Sequence, residues 1–407
     1  MRREHGNSVD YSQQYFFIED ASGAANRFLL TQIGSKTVTL SYSTNLSTWT
    51  TVTPGTYYSF AANTSVYFKG TNSTFATSDS VYNTFSCEGA YNIGGNIMSL
   101  INESSFTTLK TLSANYTFAH LFDESSTKRN LKSAKNLYLP ATTLKTNCYA
   151  WMFKNCTSLG IAPSELPATT LQNNCYYGMF YGCSALKTIP TKLPATTLTS
   201  GCYYSMFESC TSIKTAPVMP VATGAASCCQ RMFYGCTALV TPPPELFTSK
   251  VNGASACVEM FRGCTRLTTA PALPSTTLAN YCYSNMFRES GLREAPDLPA
   301  TTLNTQCYNA MFRDCGGITK TPKLAAKTLV SGCYNYMWTG CTELTSIIAL
   351  FTTTPSTSYT QSWVDGVQSY PPPLGGSTTG TFTKNKEATW NVSGIHGIPD
   401  KWNVVFA

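Results

Sequence analysis

Charge is scarce in this sequence. Asp, Glu, Lys and Arg make up 12% of its 407 residues, and the net charge of +7 is spread along the chain. From Leu139 to Thr345 there are 15 Lys/Arg and 9 Asp/Glu. That is not the basic stripe that neutralises phosphates, so no nucleic-acid partner is expected. Histidine is rarer still. His5, His120 and His396 lie in three separate regions, which leaves a Ser/His/Asp or Cys/His site little to draw on. Carboxylates such as Glu208, Glu259 and Asp297 are isolated, and paired acids for glycoside hydrolysis would have to come from distant segments. No phosphate-binding or dinucleotide fingerprint occurs, Gly375-Gly376 being too short a signal. No catalytic residue and no cofactor is therefore expected. No apolar run is long enough for a membrane-spanning helix. The start, Met1-Arg2-Arg3-Glu4-His5, lacks the apolar core of a secretion signal. Either the chain does not use that export route or a signal has been removed.

Cysteine, by contrast, is plentiful. Of 17 cysteines, most fall into two columns of a repeated pattern. The first holds Cys148, Cys175, Cys202, Cys228, Cys282, Cys307 and Cys333, with Ala256 in the remaining place. The second holds Cys156, Cys183, Cys210, Cys236, Cys264, Cys315 and Cys341, with Ser290 in the remaining place. Replacement by Ala or Ser fits a small buried filler better than an obligate bridge, since a free Cys acts as a small hydrophobe. Ladders of reduced thiols are expected, although bridges between neighbouring repeats stay open. The short Cys-x-x-Cys pairs of a zinc site do not occur with partners, so no metal is expected.

The repeat itself is Cys-Tyr-x-x-Met-Phe-x-Gly-Cys, then x-x-Leu-x-x-x-Pro, then Leu-Pro-Ala-Thr-Thr-Leu. Its anchors run from Met152-Phe153 through Met179-Phe180, Met206-Phe207, Met232-Phe233, Met260-Phe261, Met286-Phe287 and Met311-Phe312 to Met337-Trp338. A period of roughly 25 to 28 residues is that of a solenoid of stacked turns, in the range of leucine-rich repeats. In the second repeat Cys175, Tyr176, Met179, Phe180 and Cys183 fall on one stripe of a short helix, which Gly182 would end. A brief extended piece follows, limited by Pro190 and Pro194. The expected fold is an α/β repeat solenoid with one short helix and one short extended segment per turn. Phe118 to Phe122, with Ser125 in the Cys place, and Ser362 to Gly366 read as worn end turns that cap it.

Before the solenoid, short runs such as Tyr15-Phe16-Phe17-Ile18, Arg27-Phe28-Leu29-Leu30 and Val66-Tyr67-Phe68 suggest a small β-sandwich. The expected division is a tail at 1–13, a β-sandwich module at 14–105, the solenoid with its N-terminal cap at 106–350, and a C-terminal cap with a closing β segment at 351–407. Tyr370-Pro371-Pro372-Pro373-Leu374-Gly375-Gly376 reads as a stiff loop within the last of these.

The repeat pattern resembles the BspA-type leucine-rich repeats, and more narrowly the repeat proteins of gut Bacteroidota and their tailed phages. Ser41 to Thr50, Tyr67-Phe68-Lys69-Gly70 and Gly95 to Leu100 resemble their N-terminal β-module. Thr381 to Asn385 and Gly397 to Trp402 resemble their closing segment. Two departures stand out: Cys229 and Cys257 replace the Tyr, and Leu246-Phe247 replaces Leu-Pro. The resemblance implies a non-enzymatic surface binding protein, either a phage tail or head fibre component on the virion or an exported bacterial adhesin. A glycan-acting enzyme is the third reading. The partners it implies are a host surface glycan or protein and other virion proteins, with self-association left open.

Within each repeat one column varies in size and charge: Lys154, Tyr181, Glu208, Tyr234, Arg262, Arg288, Arg313 and Thr339. Positions freed from packing vary for no reason, but Tyr and Arg are also the residues most enriched in binding hot spots. Tyr181, Tyr234, Arg262, Arg288 and Arg313 are therefore the candidate binding residues.

Overall fold

A computed structural model describes residues 9–126, 129–247, 250–251, 253–367 and 380–407. The Pro371 loop read from the sequence lies outside the described residues. The N-terminal part pairs two antiparallel sheets. Its strands are β1 (Phe16–Asp20), β2 (Asn26–Ile33), β3 (Leu40–Ser43), β4 (Thr50–Thr51), β5 (Tyr57–Phe60), β6 (Ser65–Gly70), β7 (Ala76–Ser78), β8 (Val81–Cys87) and β9 (Tyr91–Asn96); β6 alternates buried and half-buried side chains, whereas β1, β8 and β9 are mostly buried. One sheet runs β9-β1-β6-β3-β4, the other β5-β2-β8-β7. Phe16 and Phe68 from the first meet Phe28 and Phe85 from the second at ring distances of 5.0 to 5.7 Å. All four rings are fully buried and form the sandwich core.

The module does not end at the solenoid. Strand β10 (Leu131–Tyr138) adds to β9 in parallel and carries the first sheet onward. From there the extended pieces of successive turns meet as single-residue parallel bridges, such as Ser133 with Ile161 and Ile161 with Thr188. The prolines keep them that short, because Pro cannot donate to a ladder. Longer pairing returns at β11 (Thr223–Gly224) with β12 (Lys250–Val251), and then at the far end. There β13 (Lys320–Leu324), β14 (Ser346–Ala349), β15 (Thr381–Lys384) and β16 (Asn403–Phe406) form one parallel sheet that closes the stack.

The solenoid is present, but the expected helix in each turn is not. Each Cys-Tyr-x-x-Met-Phe segment is a run of overlapping β-turns. In the first repeat Asn147, Trp151 and Asn155 all have positive φ, 54°, 57° and 58°, four residues apart. Amides of Ala150, Met152, Lys154 and Cys156 donate three residues back. Those of Tyr149, Trp151, Phe153 and Asn155 donate instead to carbonyls of Cys175, Tyr177, Met179 and Tyr181 in the next turn, at 2.7 to 2.9 Å. Every second amide thus ties one turn to its neighbour, which a helix bonded within itself could not do. A positive φ at the third place of a turn marks type II geometry. Glycine or Asn suits it, as at Asn174, Gly178 and Gly182 in the second repeat. The two residues after each of the first two such positions, and the one after the third, point inward, so apolar offsets of 0, 1, 4, 5 and 8 arise from a four-residue period as readily as from a helix.

The inward columns pack as ladders. Rings from Phe122 and Phe153 to Phe312 stack at 5.2 to 5.7 Å with planes within 12° of parallel, and Trp338 closes the row at 4.7 Å. The Met column beside it is fully buried. All seventeen cysteines are buried as free thiols. In the second column each thiol finds an acceptor: Cys183 donates to the Phe153 carbonyl and Cys210 to that of Phe180, both at 3.0 Å. Burial pushes the thiols up, to about 12 at Cys148 and Cys264 and about 11 at Cys315. Such groups are poor nucleophiles, because the thiolate is the reactive form. Where the pattern departs from the repeat, Phe247 takes a positive φ and is buried over Gly224, whose missing Cβ leaves the ring its place.

Candidate functional site

The turns decide which side chains face outward. Residues at the positive-φ positions and the ones just before them stand off the Tyr, Met and Phe columns and form adjacent columns along one side of the solenoid, where Trp151, Tyr177 and Arg231 are half-buried and Ala150, Ser205, Glu208 and Ala310 are buried. The middle positive-φ column holds Trp151, Gly178, Ser205, Arg231, Glu259, Asn285, Ala310 and Tyr336. Only one of these is glycine, although a side chain costs roughly 1–2 kcal/mol per residue in that conformation.

At the N-terminal end this face is aromatic. Tyr82 of β8 stacks on His120 at 4.2 Å, and His120 lies 6.5 Å from Trp151. Trp151 meets Tyr177 edge-on at 4.7 Å and Tyr181 at 5.6 Å, and Tyr177 stacks on Tyr204 at 4.8 Å. Apart from His120, which is buried, these rings are half-buried. Gly178 makes the arrangement possible, since a Cβ there would sit 2.2 Å from the Trp151 ring.

Further along, the face becomes a ladder of ion pairs. Arg231 reaches Glu208 at 2.6 Å and Glu259 at 3.6 Å. Arg262 reaches Glu259 at 2.5 Å and Glu289 at 3.5 Å. Arg288 lies 3.1 Å from Glu289, and Arg313 3.4 Å from Asp314. Tyr234 sits between Arg231 and Arg262, whose guanidinium carbons are 4.2 and 5.5 Å from its ring centre. The five candidate residues therefore do share one face, but in two chemical settings. Tyr181 joins the aromatic row, whereas Tyr234, Arg262, Arg288 and Arg313 belong to the ladder. There each arginine is met by a carboxylate, and Arg262 and Arg288 keep under a quarter of their side-chain surface in solvent. The sequence reading singled out Tyr181 but not Trp151, Tyr177 or Tyr204, which occupy neighbouring columns, nor Tyr82 and His120, which come from other segments.

His120 is set between carboxylates. Its Nδ1 lies 2.8 Å from Asp123 and its Nε2 3.5 Å from Asp79. Burial pushes Asp123 up, yet hydrogen bonds from His120 and Ser125 hold it below the ordinary carboxylate value. Burial pushes the adjacent Glu124 up to about 7, against hydrogen bonds from the amides of Leu131 and Asn130. Both carboxyls are buried, and His120 faces a carboxylate on either side rather than a hydroxyl to activate. The ring is held as a spacer between Tyr82 and Trp151. Among the described residues no group of three or more His, Cys, Asp or Glu could hold a metal, and no helix is long and apolar enough to cross a membrane.

No family model matches the sequence, and no curated protein matches it. Among solved structures the chain is similar to a leucine-rich repeat protein from Bacteroides ovatus. The identity is 12%, over 79% of this chain and 87% of the other, with a TM-score of 0.22. A score that low carries no argument, and the solenoid reading stands on the stacked turns themselves.

Proposed function

We propose that the chain is a non-enzymatic binding protein on the virion surface of a tailed phage, a tail or head fibre component that contacts the bacterial host through the outward turn face. The observation that carries the binding role is Trp151, held at a φ of 57° over Gly178 within a row of half-buried rings. A core needs no tryptophan in that place, and a rigid aromatic surface is what host glycans or proteins engage through hot spots. The virion placement rests on the resemblance of the repeats, and a core of free thiols suits a chain folded in a reducing cytoplasm. Tyr234, Arg262, Arg288 and Arg313 extend the face toward host or neighbouring virion proteins.

Antibodies to the chain should label the surface of phage particles purified from a producing Bacteroidota culture. Labelling of uninfected cell envelopes instead would replace the virion reading with that of an exported adhesin. Trp151→Ala combined with Tyr177→Ala should lower adsorption to host cells by at least about tenfold, the scale of hot-spot loss. Replacing Tyr234, Arg262 and Arg288 together by Ala should lower it less, because their charges are already met by carboxylates. A folded aromatic double variant that adsorbs like wild type removes the row from this account.

A further inference from the structure

We infer that the β-module carries a second binding site, which adjoins the aromatic row at Tyr82: a groove across the β5-β2-β8 face that takes a neutral oligosaccharide. The inference rests on reading the chain as a binding protein and adds the chemical class of one ligand. The groove has a volume of about 370 Å³, within the range of roughly 300–1,000 Å³ usual for ligand sites. Its position follows from strand register. Leu29 of β2 stands beside Tyr57 of β5 and Ser86 of β8, Thr31 beside Thr84, and Ile33 beside Tyr82. These are the outward positions of the sheet, since Phe28, Leu30 and Phe85 between them point into the sandwich.

Three features select the ligand. First, the two aromatic walls are rigid platforms. Tyr57 is 46% exposed and is backed by the Arg27 guanidinium at 4.8 Å, while Tyr82 is backed by His120 at 4.2 Å. A ring fixed on one side and lining a groove on the other suits the C–H face of a sugar at little entropic cost. Second, the lining carries the hydroxyls of the half-buried Thr31 and the exposed Ser126, over the buried Thr84 and Ser86. Hydroxyls both donate and accept, as sugar hydroxyls do. Thr84 is anchored through bonds to the Leu121 and Asp123 carbonyls at 3.4 and 3.3 Å, so this surface is tied to the first turn of the solenoid. Third, Glu88 is the charged group among the described lining residues, and Arg27 holds it at 2.6 Å. None of the described lining residues is a cation, which does not favour anionic polymers. Tyr57 and Tyr82 stand four residues apart in register and two strands across, roughly 13 Å along the strands alone. That separation calls for several linked sugars rather than one.

The test is calorimetric titration of the intact chain with cellohexaose, laminarihexaose and mannohexaose, and with hexagalacturonate as the anionic counterpart. At least one neutral hexasaccharide should bind, and Tyr57→Ala should weaken it by about tenfold or more. Tyr57 is exposed on an edge strand, so this variant keeps the fold. The inference is overturned by binding to none of the neutral sugars, by tighter binding of hexagalacturonate, or by neutral-sugar binding that Tyr57→Ala leaves unchanged. Tyr57 stands outside the row of Trp151 and Tyr177, so Tyr57→Ala tests the groove while the Trp151 and Tyr177 variant tests adsorption through the row, and failure of one leaves the other to be judged alone.

Discussion

Replacing Phe207 by Ala is expected to destabilise the protein by about 3–5 kcal/mol, the usual loss for a buried aromatic. Phe207 is fully buried and stacks on Phe180 and Phe233 at 5.5 Å on either side, with planes 1° and 9° from parallel. Its carbonyl also accepts from the Cys236 thiol at 3.1 Å, so the residue joins three turns. Truncation leaves a cavity in the middle of the stack, where neither neighbour can move in without breaking its own amide bonds to the next turn. Guanidinium unfolding monitored by tryptophan fluorescence reads the effect. A loss below ~1 kcal/mol, the scale of a tolerant surface site, would show that the ring ladder is not the core.

The second large effect is alkaline. The buried thiols and tyrosines are held neutral: Cys307 is pushed up to about 12 and Cys333 to about 11 from 9.0, and Tyr149, Tyr176 and Tyr203 well above 10.0, all by burial first. Their folded-state pKa values exceed the unfolded ones. The stability they contribute is therefore complete below pH 9 and falls as pH rises, because only the unfolded chain releases these protons. Each such group adds a slope of roughly 1.4 kcal/mol per pH unit above its unfolded pKa. A dozen thiols acting together would exhaust a typical ~5–15 kcal/mol within about one unit. The protein should unfold cooperatively soon above pH 9 while remaining stable at pH 8, as followed by near-ultraviolet circular dichroism under reducing agent. Alkylation in denaturant without reductant should label nearly all seventeen cysteines. Peptides bridging Cys175 to Cys202, together with an unchanged fold at pH 10.5, would show the columns to be oxidised.

Much of this was legible in the chain. The repeat period placed the stack, and the Met-Phe and Cys columns named the core, because inward positions tolerate few residue types. The helix was the error, and its cause is geometric. Over nine residues, offsets of 0, 1, 4, 5 and 8 fit a helical stripe and a four-residue turn equally well. The distinguishing signal was the left-handed residue every fourth position. Asn174, Gly178 and Gly182 display it together, but Trp151, Arg231 and Glu259 hide it in other turns by standing where glycine would be at ease. The aromatic row was obscured for the same reason. Trp151 and Tyr177 become neighbours only once the turns are stacked, and Tyr82 and His120 reach them from the β-module and the cap. The ion-pair ladder could not be foreseen either, since Arg262 and Glu289 are partners across turns and 27 residues apart in sequence.

The outward face exists only if the repeated segments are turns, because a helix would aim Trp151, Tyr177 and Arg231 in other directions. Far-ultraviolet circular dichroism of the full chain tests this directly. The account predicts a spectrum of strands and turns without the paired minima of α-helix, unchanged until the cooperative melt. Strong helical minima, equivalent to a two-turn helix in each of the eight repeats, would contradict it.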